Sequence, residues 1–294
     1  MLELWFKEMG RRMKGGVQAL ESKWWRDNKA IFDYISDVSV FLGDVKEMHL
    51  SKYEWSDDNL LFRDCFGINL CRIEQSYRSI EILLYLGHTD DCFALLRKMY
   101  ESIISLAYLH TDKEGLSRQC MDYELVHSIR LLQFRRAITD DLSDDIVNEL
   151  DRIFSGQFSQ IAQFVIPNQA QPMCGKDLLE LRYCDNWTRL DLATLASRVE
   201  MTLAYQTTIK FCNGYVHPRS NLHWDFIKRD NLGYPIAFDA NPDPDYDDIH
   251  HIARDMTLGL LRAIELIYPI IDLTPPEQHA ILLSKWNETF FSEG

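Results

Sequence analysis

Apolar residues recur at helical spacing through most of the chain. From Leu60 onward, Ile73, Tyr77, Ile80 and Leu84 share one face, which predicts a long helix ending near Leu86. Ser56 ahead of Asp57 and Asp58 reads as an N-cap followed by acidic first-turn residues. Gly87 supplies a C-terminal stop, and Thr89 caps a second helix over about 90–110, with Asp90 and Asp91 at its positive end. The pair is a helical hairpin with a very short turn. Thr111 and Glu114 have the spacing of a capping box and predict a helix to about Ile138, and Ser143 with Asp144–Asp145 starts another. Residues 155–187 are weakly patterned and read as loop, with a short helix near Leu178–Leu181. A long helix is expected from about Leu190 to Cys212, with Leu192, Leu195, Val199 and Leu203 on one face and Asn213–Gly214 as its terminus.

Between His223 and Phe238 the pattern changes. Trp224, Phe226, Ile236 and Phe238 alternate with other residues across a turn-rich DNLG segment, as in a small β-hairpin. Asp239–Asp248 reads as acidic loop, followed by a helix from about Ile249 that Pro269 interrupts. Thr274-Pro-Pro-Glu277 combines an N-cap with proline at the first helical position and predicts a last helix over 275–291. The fold class is therefore all-α: a multi-helix bundle with long antiparallel helical hairpins and a small β-hairpin near 223–238. No linker or repeat divides the chain, so 1–294 reads as a single helical domain, with 1–55 a helical extension packed on a 56–294 core.

Composition narrows the function classes. With 46% hydrophobic and 12% aromatic residues, the chain can bury a sizeable core. No stretch approaches the roughly 18 uninterrupted apolar residues of a membrane span, and the N-terminus mixes charge into its apolar residues from position 3, unlike a signal peptide. A cytoplasmic location with no membrane partner is expected. The seven cysteines include no CxxC pair and read as small apolar residues in a reducing compartment. A net charge of −14 opposes extensive DNA binding, because phosphate backbones repel an acidic surface. It leaves room for a local pocket that takes one RNA strand. Basic clusters at Arg11–Arg12–Lys14 and Arg130–Arg135–Arg136 read as solvated helix faces.

Two constellations carry candidate chemistry. On the 90–110 helix, Arg97, Lys98, Glu101, Ser102 and Ser105 share one polar stripe on an otherwise apolar surface. Glu74, Arg78 and Glu81 lie at similar heights on the preceding helix. The stripe reads either as a charge ladder fixing helix register or as an Arg97–Glu101 pair lining a pocket. The second constellation is FCNGYVHPRSNLHW. Pro218 biases His217 away from helical backbone, placing it just past a helix C-terminus whose negative end favours imidazolium. A histidine so placed suits general acid–base work on a phosphodiester, with Asn213 orienting a phosphate or hydroxyl and Tyr215 stacking on a base. The plain reading makes Asn213–Gly214 a helix cap and His217 a buried residue bonded to backbone. Asp243–His251 fails as a calcium loop, since its sixth position is Asp248 and its twelfth Arg254. With no HExxH, GxGxxG, P-loop or GxSxG, neither a metal nor a cofactor is expected.

The blocks YRSIEILLYLGHTDDCFALLRKMYESIISLAYLH and NWTRLDLATLASRVEMTLAYQTTIKFCNGYVHP resemble a bacterial family of helical proteins known as a domain of unknown function. Its features map onto Gly87, Arg97, Glu101 and Tyr215–Pro218, and the resemblance covers about 60–225. More loosely, a helical bundle with a late polar-x-x-x-His element is similar to the HEPN superfamily, many of whose members are metal-independent ribonucleases of toxin and antiphage systems. That resemblance implies a ribonuclease or toxin-type effector in which His217 is acid or base, Arg97 neutralises phosphate, and Glu101 and Asn213 orient them. The chain departs from the superfamily's Arg-polar-x(4)-His: Lys210 is the nearest base upstream of His217, Arg219 follows it, and Arg97 can supply the charge from another helix. The alternative is a non-catalytic helical module that binds a partner protein or forms a homo-oligomer in a stress or defence system.

Overall fold

Most of the apolar stripes become buried helix faces. The computed structural model of the protein describes residues 28–48, 50–56, 59–139, 143–216, 227–229, 235–238, 246–271 and 273–291. In chain order the helices are α1 (Lys29–Met48), α2 (Leu60–Tyr85), α3 (Thr89–Thr111), α4 (Lys113–Thr139), α5 (Asp144–Ile161), α6 (Leu192–Arg198), α7 (Thr202–Ala204), α8 (Lys210–Val216), α9 (Tyr246–Ile267) and α10 (Glu277–Phe291). A π-helical turn, Tyr205–Ile209, joins α7 to α8. The strands β1 (Ile227–Arg229) and β2 (Pro235–Phe238) form the expected hairpin, antiparallel with a register irregularity between Lys228 and Arg229. The class is all-α. The chain divides into two compact units, the first within Met1–Glu54, Asn69–Ala107 and Ala196–Gly294, the second formed by Trp55–Ile68 and Tyr108–Leu195.

The first unit is organised around α3 and α9. From Cys92 to Ala107, α3 buries Cys92, Phe93, Leu96, Met99, Tyr100, Ile103, Ile104 and Leu106, so it is apolar around most of its circumference. Each fully buried side chain of this size contributes about 1.5–3 kcal/mol of transfer free energy. Close packing on α9 depends on Gly259, where a Cβ would lie 2.7 Å from Met99 Cε and 3.0 Å from Tyr100 Cε2. Helix α1 places Ile31, Ile35, Val38, Leu42 and Val45 on one buried stripe and packs against α9 and α10. Tyr34 OH donates to Leu282 O at 2.8 Å, and Tyr77 OH to Ile35 O at 2.8 Å. The turn after α2 is the expected glycine stop: Gly87 has φ 78°, with His88 N donating to Leu83 O at 2.9 Å and Gly87 N to Leu84 O at 3.0 Å.

The second unit packs α4 and α5 against the segment C-terminal to them. Val126, Ile129, Leu150, Ile153, Phe164, Leu178 and Tyr183 form its core. Arg130 holds that segment by donating to Tyr183 O at 2.8 Å and Cys184 O at 2.9 Å, while Gln133 donates to Leu179 O and Leu181 O. Arg130 is thus a structural clamp and not a member of a solvated basic face. Gly175 approaches so closely that a Cβ would meet Asp151 N and Leu150 C at 2.4 Å.

Several boundaries differ from the sequence reading. Asp112, not Thr111, caps α4 by accepting from Gly115 N at 3.0 Å; the Thr111 hydroxyl donates to Tyr108 O at 2.8 Å. Helix α5 continues to Ile161, into the segment expected to be loop, because Ile153 and Ile161 complete its buried stripe. The short helix near 178–181 is a 3-10 turn at Gly175–Leu179. The largest difference is the long helix expected over 190–212. It breaks after α6, where Glu200 takes φ 59° and Met201 N donates to Ala196 O at 2.8 Å, a left-handed helix stop built on glutamate. The break rotates the helical turn beyond residue 200, so Leu203, expected on the buried face, is 75% exposed.

Candidate functional site

In the first unit a polar centre sits where α3, the π turn, α8 and α9 meet. The π turn inserts an extra residue, and such turns recur at functional sites because they re-aim side chains without ending the helix. Here Thr208, Ile209 and Cys212 are buried, while Gln206, Thr207, Lys210 and Phe211 are exposed. Thr208 Oγ1 donates to Asp255 Oδ2 at 2.7 Å. Asp255, only 5% exposed, also accepts from Arg254 Nε on Oδ1 at 2.8 Å, with Arg254 Nη2 at 2.8 Å from the same oxygen. His251 Nε2 lies 3.5 Å from Asp255 Oδ2. Burial alone would raise the Asp255 pKa, but hydrogen bonds from His251, Arg254 and Thr208 and the Arg254 charge outweigh it and hold the carboxyl below its ordinary range.

The surroundings lock these groups in place. Tyr100 OH donates to Asp255 O at 2.9 Å, and Trp286 Nε1 donates to Arg254 O at 3.0 Å. His251 stacks on Phe211, ring centroids 4.8 Å apart, and Phe211 meets Phe93 edge-on. The Cys212 thiol is pushed up to about 12, first by burial and then by the Asp255 charge, while the Arg97 charge and backbone act the other way. It is a packed thiol and not a nucleophile.

Arg97 and Glu101 lie one turn apart on α3, and Arg97 Nε donates to Glu101 Oε1 at 2.8 Å. The cross-helix charge ladder is not what forms. Arg78 pairs with Glu74 on its own helix at 3.0 Å, and Lys46 of α1 bonds the same Glu74 at 2.6 Å. Among the described residues, Arg97 uses only Nε, and its two Nη groups make no hydrogen bond. Cys212 brings α8 beside Arg97, and Asn213 is the next residue along α8. Asn213 and Gly214 lie inside α8, so the cap reading fails, and Asn213 Oδ1 is buried with no hydrogen-bond partner among the described residues. His217, Pro218, Arg11–Arg12–Lys14 and most of the 239–248 loop lie outside the described residues, as does the side chain of Tyr215.

A family model matches residues 65–234, more than half of the chain. The chain belongs to DUF5677, a family of unknown function. The match spans Gly87, Arg97, Glu101 and Tyr215–Pro218, the positions that carried the resemblance. No curated protein and no solved structure matches this DUF5677 chain. No helix among its described residues is long and apolar enough to cross a membrane, and none of their His, Cys, Asp and Glu side chains form a group of three or more able to hold a metal ion.

The Asp255 centre escaped the sequence reading. Its signal was present: Asp255 falls on the apolar face of α9, among Ile252, Met256 and Gly259. The acidic run just ahead of it, with the look of a failed calcium loop, masked that signal. Thr208 gave none, because only the π turn carries it inward.

Proposed function

We propose that the first unit cleaves RNA at a site built from Arg97, Glu101, Asn213 and His217, in the manner of a HEPN-type ribonuclease or toxin-type effector. The supporting observation is the state of Arg97. Its Nε is held by Glu101, leaving two Nη groups on a half-buried guanidinium without hydrogen bonds among the described residues, an arrangement suited to bidentate contact with a phosphate. Asn213, whose buried Oδ1 has no hydrogen-bond partner among the described residues, lies next to Cys212, which meets the backbone of Arg97. His217 stands four residues after Asn213. In this reading His217 takes the proton from a ribose 2′-hydroxyl as that oxygen attacks phosphorus. The P–O5′ bond breaks, and His217 returns the proton to the 5′-oxygen, leaving a cyclic phosphate and a 5′-hydroxyl. Arg97 carries the growing charge on the phosphoryl oxygens.

The test is cleavage of a labelled single-stranded RNA by the purified full chain. Arg97→Ala and His217→Ala are each expected to lower the rate at least about 100-fold, the usual scale for removing a positioned charge or acid–base group, with the melting temperature nearly unchanged. Intact RNA after incubation with wild-type protein, or full activity in either variant, refutes the proposal. A second reading, a non-catalytic partner-binding module, is favoured by Leu131, Phe134 and Ile138, which stand 60%, 67% and 68% exposed along one face of α4. Phe134→Asp changing the sedimentation coefficient, with no RNA cleavage by wild type, is the outcome that reading expects.

A further inference from the structure

Beside the Asp255 centre, and wholly within the first unit, lies a cavity of about 700 Å³. Its walls are mainly apolar, with Ile103, Leu203, Leu258 and Leu266 among them, and it has the size of a small-molecule pocket. Which ligand it suits depends on which polar atoms on its walls remain unused. Both Asp255 oxygens accept from Thr208 and Arg254. The Tyr100 hydroxyl and the Trp286 N–H donate to backbone carbonyls of Asp255 and Arg254, and Thr207 Oγ1 donates to Leu203 O at 2.9 Å. Arg262 at the same wall uses one Nη on Glu265 and is more than half exposed, and Glu200 adds an exposed carboxylate at the wall. Arg254 differs in being a mostly buried cation: its Nε and Nη2 are taken up by Asp255, but Nη1 makes no hydrogen bond among the described residues.

Asp255 therefore acts on Arg254 as a brace. One face of the guanidinium is fixed by a buried carboxylate, and the Trp286 indole fixes the main chain of the same residue. A side chain held this way gives up little conformational freedom when it binds. The Asp255 oxygens, already hydrogen-bonded to Thr208 and Arg254, are weakened as acceptors for an ammonium head, whereas a carboxylate meets a pre-oriented, mostly buried cation. We infer that the cavity binds an amphipathic monocarboxylate, its apolar body among Ile103, Leu258 and Leu266 and its head on Arg254. The inference uses different residues from the RNA site, so either can fail without the other.

The experiment titrates the full chain by calorimetry with decanoate, 1-decanol and decylamine, which share one apolar body and differ in the head. Decanoate is expected to bind with 1:1 stoichiometry and at least about tenfold tighter than the other two, as one charge-assisted contact implies. Arg254→Gln should erase that preference. Because Arg254 also supports Asp255, Leu203→Trp is the second variant: Leu203 lines the cavity yet is 75% exposed, so a larger ring there obstructs the pocket without entering the core. It should weaken decanoate at least about tenfold at unchanged melting temperature. Equal affinity for the three heads, no decanoate binding, or full binding by Leu203→Trp would each overturn the inference.

Discussion

Replacing Asp255 by asparagine removes one charge and almost no volume, so it isolates the electrostatic part of the centre. Asparagine can keep its oxygen toward Arg254 and offer its amide to Thr208, whose hydroxyl can rotate to accept. What is lost is the ionic character of the two Arg254 contacts, both at 2.8 Å. Arg254 keeps its charge, so each bond stays charge-assisted on the donor side and loses only the counter-charge, roughly 1 kcal/mol of the about 1.5–3 kcal/mol such bonds contribute and about 2 kcal/mol in all. Asp255→Ala leaves Arg254 and Thr208 without their partner and should cost about 3–5 kcal/mol. At roughly 2–4 °C per kcal/mol, the asparagine variant should melt about 4–8 °C lower at pH 7, monitored by circular dichroism at 222 nm. The pH dependence supplies a sign. The folded-state pKa of Asp255 is depressed below its ordinary 3.8, so its contribution is complete above that value and disappears as the pH falls through the folded pKa. The gap between wild type and Asp255→Asn should therefore be constant from pH 7 to about pH 5 and narrow below about pH 4. A variant melting within a degree of wild type at pH 7, or a gap unchanged at pH 3, would show that Asp255 is not a braced anion.

Glu200→Gly should raise the melting temperature, worth about 0.5–1 kcal/mol, since glycine relieves a left-handed backbone at φ 59° on an exposed side chain; a fall would mean that the glutamate side chain outweighs its strain. Gly175→Ala should destabilise by at least about 1–3 kcal/mol in urea unfolding, because the added Cβ meets backbone atoms that cannot move aside; a neutral result contradicts the close approach to α5. Arg130→Ala should cost about 2–3 kcal/mol by the same measurement, since it strips the carbonyls of Tyr183 and Cys184 of a shared charged donor. In native protein a thiol reagent should label Cys71 and Cys174 first and Cys92 and Cys212 last, in order of exposure and because burial raises both of the last two thiols; fast labelling of Cys212 would indicate an open centre.

Local signals in the sequence were enough for the helical class, the α2–α3 hairpin with its glycine turn, and the last helix. Apolar spacing, caps and a left-handed glycine act within a few residues, so they are readable without knowing what packs on them. The N-terminus of α4 shows where such reading slips: Thr111 and Asp112 are both competent caps, and only the tertiary surroundings select Asp112. The Arg97–Glu101 pair was legible because it lies one turn apart on a single helix. Its supposed partners across the hairpin were not, since Glu74 is claimed instead by Lys46 of α1, distant in sequence. The break at Glu200 carries neither glycine nor proline, and the π turn at Tyr205–Ile209 has no composition of its own. The break turns Leu203 outward, and the π turn brings Thr208 to Asp255 and leads into the helix that holds Asn213. Sequence alone determined the helical class and the apolar faces of the helices up to α5. Tertiary packing decided how the helical turns after residue 200 are rotated, because Thr208 reaches Asp255 and Cys212 is buried only where the irregular turn carries them inward.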